Sequence, residues 1–238
     1  MDTPSHIHDV PDWLDGMLPS GEGHGEHAAR TAVQRLATGN GLIGVVKTLL
    51  DSPEALRSAA RRSHAHDNGF DKITLASSTS GWRLRLNIWW PDRGVHTENI
   101  HNHRWDFASF MLAGACLADY FQPASDGTPM YGYEYAKGDG SSYRHRFLGR
   151  RQVSLAMSGT IRRGDSYLLT RSLMHRIVTD RRDLVATLML HSPQRSETAT
   201  TLTDSPLFDE QPSAAPSLYT DVALQRRLST FLECHAPF

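Results

Sequence analysis

The chain of 238 residues is poor in cysteine, in long apolar runs and in net charge. Its two cysteines, Cys116 and Cys234, lie far apart with no C-x-x-C spacing. That argues against a disulfide framework and makes a reducing, cytoplasmic setting the expectation. No apolar run reaches membrane-spanning length, and the opening MDTPSHIHDVPDW is polar and acidic rather than signal-like. A formal net charge of −1 argues against nucleic acid or an anionic membrane as the main partner, because phosphate recognition needs a basic surface. The basic clusters RHRFLGRR (144–151), Arg162–Arg163 and Arg181–Arg182 read as solvated strand edges and turns. G-x-S-x-G, P-loop and dinucleotide fingerprints are missing as well, which leaves hydrolase-elbow, NTPase and nicotinamide chemistry without support.

What is present suffices for a packed core: 39% of residues are hydrophobic and 21% charged. Residues 1–25, rich in Pro, Gly and His, read as an irregular lead-in. Helices are expected over 26–37, over 42–50, and after Ser52, a plausible cap with Pro53 at the first helical position and Glu54 in the first turn. From Phe70 the pattern turns to short β-rich runs at 70–76, 82–90, 99–107, 109–121, 129–136, 143–148, 152–157, 165–170, 174–179 and 184–191, a spacing that suggests a sandwich or barrel. Residues 194–217, rich in Ser, Thr and Pro, read as a tail. Val222, Leu224, Leu228, Phe231 and Leu232 then recur at helical spacing, which predicts a closing helix over 219–233. The expectation is one mainly β domain over 1–238: a helical region to 66, a barrel over 68–194, and a tail over 195–238 that ends in a helix.

Thirteen histidines invite metal chemistry. In ENIHNHRWDF, alternate side chains of a strand share a face, so His101 and His103 point one way with Trp105 and Phe107, while Asn102, Arg104 and Asp106 point the other. Asp106 is therefore not expected to join the histidines. A second H-x-H, His64 and His66, falls at the end of a helical region, where the two side chains diverge. Three neutral imidazoles fill part of a coordination shell and leave the rest open, the arrangement of a catalytic site. Imidazole suits Fe, Zn, Cu and Ni alike, so donor softness does not name the metal.

A later segment, GDSYLLTRSLMHRIV (164–178), supplies His175. The two segments resemble the paired motifs of the cupin superfamily, with Gly94 ahead of the H-x-H pair, Gly114 closing the first motif and Gly164 opening the second. Phe107 stands where most cupins carry a glutamate ligand, so the chain resembles a three-histidine cupin. Within that group LRLNIWW…NIHNHRWDFASFMLAG and MHRIVTDRRDLVATLMLHSP are similar to cysteine dioxygenase and related thiol dioxygenases, over about residues 68–194. The resemblance implies a jelly-roll barrel in which His101, His103 and His175 hold Fe(II), with O2 and a small-molecule substrate at the open positions. It also implies pairing into a homodimer.

The departures from that family concern the substrate. Its Ser-His-Tyr relay falls on Thr187, Met189 and His191, of which His191 alone keeps acid–base chemistry. Lys72 takes the place of the arginine that grips a carboxylate, and lysine cannot reproduce a bidentate grip. On 82–90, Trp82, Leu84, Leu86, Ile88 and Trp90 form an apolar face. Arg85, Asn87 and Trp89 form the other and are substrate-contact candidates. With Trp105 and Phe107 they suggest a wide aromatic pocket for a carboxylate-bearing metabolite other than free cysteine. The activity expected is that of an Fe(II)-dependent oxygenase. A Zn or Ni cupin doing redox-free isomerisation or hydrolysis, and a non-catalytic ligand-binding cupin, remain open.

Overall fold

Two antiparallel six-stranded sheets face each other, with helices packed on one of them. The computed structural model describes residues 1–18, 25–92, 94–137, 143–180, 182–207 and 216–235. Arg181 and parts of the lead-in and tail thus lie outside the described residues. The helices are α1 (Val10–Met17), α2 (Gly25–Ala37), α3 (Gly41–Asp51), α4 (Pro53–Ala60) and α5 (Asp221–Cys234). The strands are β1 (His64–Ala65), β2 (Asp71–Ser77), β3 (Arg83–Trp89), β4 (Val95–Thr97), β5 (Ile100–His101) and β6 (Phe107–Ala113). They continue with β7 (Ala115–Lys137), β8 (Tyr143–Arg162), β9 (Ser166–Leu169), β10 (Met174–Asp180), β11 (Val185–His191) and β12 (Thr198–Thr203). The first sheet runs β1-β2-β3-β11-β6-β9 and the second β4-β10-β5-β12-β7-β8. No helix among the described residues is long and apolar enough to cross a membrane.

The apolar face of β3 does what its alternation predicts. Leu84, Leu86 and Ile88 are fully buried in one core with Leu188 and Leu190 of β11, Phe110 and Leu112 of β6, and Leu36, Val45 and Leu49 of the helices. Helix α2 lies across β6, β9 and β11, and Arg30 and Gln34 donate to the Ser166 hydroxyl at 2.9 and 2.8 Å. Ser52 caps α4 by accepting from the Ala55 N–H, as its position before Pro53 suggests. Helix α5 closes the core with Leu224, Leu228 and Phe231, and is tied to β2 through buried Asp71, which takes Trp90 Nε1 at 2.6 Å, Arg227 at 3.3 Å and the Tyr219 hydroxyl.

Five features differ from the sequence reading. The lead-in holds α1, whose Val10, Trp13 and Leu14 make a buried i, i+3, i+4 stripe. Within the expected strand 99–107 only Ile100–His101 and Phe107, where β6 begins, are strand, and 102–106 form an irregular turn. Gly114, at φ +69°, breaks the expected strand 109–121, and a Cβ there would sit 2.6 Å from the Leu184 carbonyl oxygen. Strands β7 and β8 each run on through breaks that turn residues suggested, accommodating them as register shifts. The tail contributes β12, inserted between β5 and β7. In addition, His64 lies on β1, and its ring stacks with that of His66 at 6.0 Å instead of diverging.

Candidate metal centre and its cavity

His101, His103 and His175 come together in the wall of a cavity of about 340 Å³ between the sheets. One ring nitrogen from each lies within 4.8 Å of the others. Strand pairing brings the two distant segments together, because β10 pairs with β5 so that His175 stands directly opposite His101. His103 is held differently from the expectation. It lies off the strand, and its N–H donates to the Arg171 carbonyl at 3.2 Å, which swings its ring to 4.9 Å from that of His101 and 5.0 Å from that of His175.

The turn is cross-tied to the loop that precedes His175. Asp106 accepts the Arg171 N–H at 2.6 Å and lies 3.4 Å from its guanidinium, while its own N–H donates to the Ser192 hydroxyl at 3.2 Å. Asp106 does not line the cavity with the histidines, and its bonds join the turn that carries His103 to the loop that precedes His175. Asn102 and Arg104, expected on the far face, line the cavity because the chain there is not a strand.

The donor set fits a cation. Nδ1–H of His101 donates to the Asn99 carbonyl at 2.8 Å and that of His175 to the Leu173 carbonyl at 3.3 Å, which places the lone pair of both rings on Nε2. Nε2 of His103 and His175 face each other at 3.4 Å. Burial, followed by neighbouring His101, keeps His103 well below the usual imidazole range and brings His175 down to about 3. At that distance the pair either shares the ring proton of one neutral imidazole as a hydrogen bond or turns two lone pairs on one ion, while burial disfavours a further, charging proton. The ligand count, three nitrogens and no carboxylate, leaves coordination positions open.

The remaining candidates divide. Lys72, Arg85, Asn87, Trp89, Trp105 and Phe107 all line the cavity. Lys72 forms no ion pair with a carboxylate among the described residues. Loss of hydration, then Arg85, pushes its ammonium well below the usual lysine range. Arg85, 6% exposed, lies 4.9 Å from the Trp105 ring, and the Asn87 amide donates to the Thr187 hydroxyl at 3.3 Å. His191 is not brought to the wall. It sits behind Trp105 with ring centroids 4.7 Å apart, its Nδ1–H on the Ser192 carbonyl at 2.8 Å.

The sequence reading missed several wall residues. Glu98, His66, His145 and Tyr167 line the cavity, as do Ala199 and Thr201 of β12. His66 stacks on Phe70 at 4.6 Å, and burial carries it to about 2. The four threonines of TATTLT, β-branched residues favoured in strands, were the available signal for β12.

No family model and no curated protein matches the chain. Among solved structures it is similar to an oxalate oxidase in complex with the substrate analogue glycolate, at 15% identity and a TM-score of 0.36, over 57% of this chain and 56% of that one. An oxalate decarboxylase formate complex from Lactobacillus farciminis shows 11% identity and a TM-score of 0.34 over 57% of this chain and 32% of that one. A cupin superfamily protein from Desulfitobacterium hafniense shows 10% identity and a TM-score of 0.31 over 57% of this chain and 87% of that one. The chain thus spans about half the length of the oxalate oxidase it matches.

Proposed function

We propose that the chain is a three-histidine cupin of the thiol-dioxygenase type: a mononuclear, non-heme Fe(II) oxygenase that uses O2 on a small carboxylate-bearing metabolite other than free cysteine. The observation that carries this reading is the convergence of His101, His103 and His175, one ring nitrogen from each within 4.8 Å of the others, in a cavity that Lys72 and Arg85 also line. Fe(II) held there would supply redox chemistry with O2 and positions for both reactants.

The chain's own residues account for the rest. Lys72 and Arg85 hold the carboxylate, Arg85 from its seat on Trp105 and Lys72 as the ammonium form that a bound carboxylate restores against its loss of hydration. Asn87, fixed by Thr187, orients a polar group of the substrate. Trp89, Trp105 and Phe107 exclude water and give the cavity flat walls suited to an aromatic or amino-acid-derived molecule. His191 acts through Trp105, whose indole it backs. A methionine at the middle of the thiol dioxygenase relay cannot pass a proton, which speaks against free cysteine.

The test is anaerobic reconstitution with Fe(II), then oxygen uptake against a panel of aromatic and aliphatic amino and carboxylic acids and thiols. Uptake that depends on one of the acids is the expected result. Protein that binds Zn(II) or Ni(II) in preference to iron and consumes no oxygen with any member would replace this reading with redox-free chemistry on the same nitrogen ligands. Substrate binding without turnover under any metal would point to a ligand-binding role.

A further inference from the structure

Strand β12 comes from a segment beyond the strand pattern of the barrel, yet it sits against a metal-site histidine. In the antiparallel register Thr201 stands opposite His101 and Leu202 opposite Ile100. Residues directly opposite keep their side chains on one face, with Cβ atoms about 4.5–5.5 Å apart. Ala199 and Thr201 line the cavity, whereas Leu202 turns to the other side and is buried with Ile100, Met130 and Val153. The strand is also held at the ligand turn. Asn102, between the two histidines, donates its N–H to the Thr200 carbonyl at 3.0 Å, and its Oδ1 accepts the Thr200 N–H at 2.6 Å. Further along, the Leu207 N–H donates to the Tyr133 hydroxyl at 2.9 Å, and Leu207 also lines the cavity.

We infer that β12 is the specificity-determining wall of this site: Ala199 and Thr201 set how large a group fits beside the histidines, and Asn102 is the positioning residue that locks the wall to the ligand turn. The inference deepens the reading of the histidine triad as a metal site and rests on it, but the wall is tested by a probe that needs no metal. The two wall positions carry a methyl group and a small hydroxyl-bearing side chain, so they leave space there, and a larger side chain at either would occupy it. Thr201, on the same face as His101, is placed to contact a group held beside the histidines.

The experiment uses the full chain with Cys234→Ser, since Cys234 is exposed whereas Cys116 is buried. Thr201→Cys is introduced there, with Thr200→Cys as the opposite-face control. Labelling by methyl and benzyl methanethiosulfonate is followed by mass spectrometry. The expected result is that Thr201→Cys reacts with both reagents, that Zn(II) slows both by about tenfold or more, and that Thr200→Cys is indifferent to Zn(II). Adding Ala199→Leu slows the benzyl reagent by about tenfold while the methyl rate stays within about twofold. Asn102→Ala lowers Zn(II) affinity by about tenfold, and Asn102→Asp, which keeps the acceptor for Thr200, restores most of it.

Zn(II) that binds, by chelator competition, yet leaves labelling at Thr201→Cys unchanged overturns the inference. So does an Ala199→Leu variant that slows neither reagent, and so does a failure of Thr201→Cys to react in the folded protein. If no Zn(II) binds but Ala199→Leu still discriminates between reagents, the metal reading falls and the wall stands.

Discussion

The two faces of the first sheet are made by the same strands and obey different physics. On β3, Leu84, Leu86 and Ile88 meet only hydrocarbon beneath the helices, while Arg85, Asn87 and Trp89, one residue out of phase, meet the cavity. Strand β11 repeats the division, with Leu188 and Leu190 outward to the helices and Thr187 and Met189 inward. One face gains stability by burying apolar area. The other turns polar and charged side chains into the cavity, where burial away from water costs stability that a bound anionic ligand would return. Structure and reactivity are therefore separable by side-chain parity on single strands, and substitutions can pull them apart.

The largest effect is expected on the cavity side. His175→Ala should lower Zn(II) affinity by more than about 100-fold, since loss of a supporting group alone costs about 10–100-fold. Thermal stability of the metal-free protein should fall by no more than about 1–2 kcal/mol, because the ring lines the cavity, lies outside the apolar core and gives up only its hydrogen bonds. Calorimetric titration paired with a melting curve checks both, and a collapse of the metal-free fold would break the proposed separation. On the opposite face, Leu86→Ala should cost about 2–5 kcal/mol in denaturant unfolding while metal stoichiometry per folded molecule stays unchanged. Between the faces lies Asp106, which ties the ligand turn to the Arg171 loop. Asp106→Ala should cost about 1–3 kcal/mol and also weaken Zn(II) binding by about tenfold, a double effect that neither face shows alone.

The smallest effect sharpens the scaffold side. The Thr79 and Ser80 hydroxyls and N–H groups hold the Asp15 carboxyl well below the usual carboxylate range. That contribution to stability is complete above the ordinary unfolded value near about 4 and fades as pH falls through the depressed folded value. Stability measured from neutral to acid pH should fall less in Asp15→Asn than in the parent protein. Metal affinity at neutral pH should be the same in both.

What was legible follows from which forces are local. Strand β3 showed both faces because alternation is a property of neighbouring residues, and α5 was readable from Leu224, Leu228 and Phe231 for the same reason. Helix α1 was passed over because Pro11 and the surrounding polar residues masked a short stripe, although Pro at a helix start is favourable. Strand β12 was hidden because one of its faces meets a polar cavity instead of a core, so it lacks the apolar alternation that marks other strands. The long β7 and β8 were divided at Gly and Pro positions that the structure absorbs as bulges.

The residues by themselves determined a mainly β chain with helices before and after the strands, the apolar parity that builds its core, and three histidines suited in number and type to a metal. Tertiary structure alone decided how those histidines meet. His103 leaves the strand because a carbonyl 68 positions further along takes its N–H, and His175 stands opposite His101 because β10 pairs with β5. It also decided that His191 stays behind an indole and that a threonine-rich tail becomes a cavity wall. Hydrogen bonds between distant backbone groups leave no periodic trace in the chain, which is why the three histidines could be singled out and the geometry that brings them together could not.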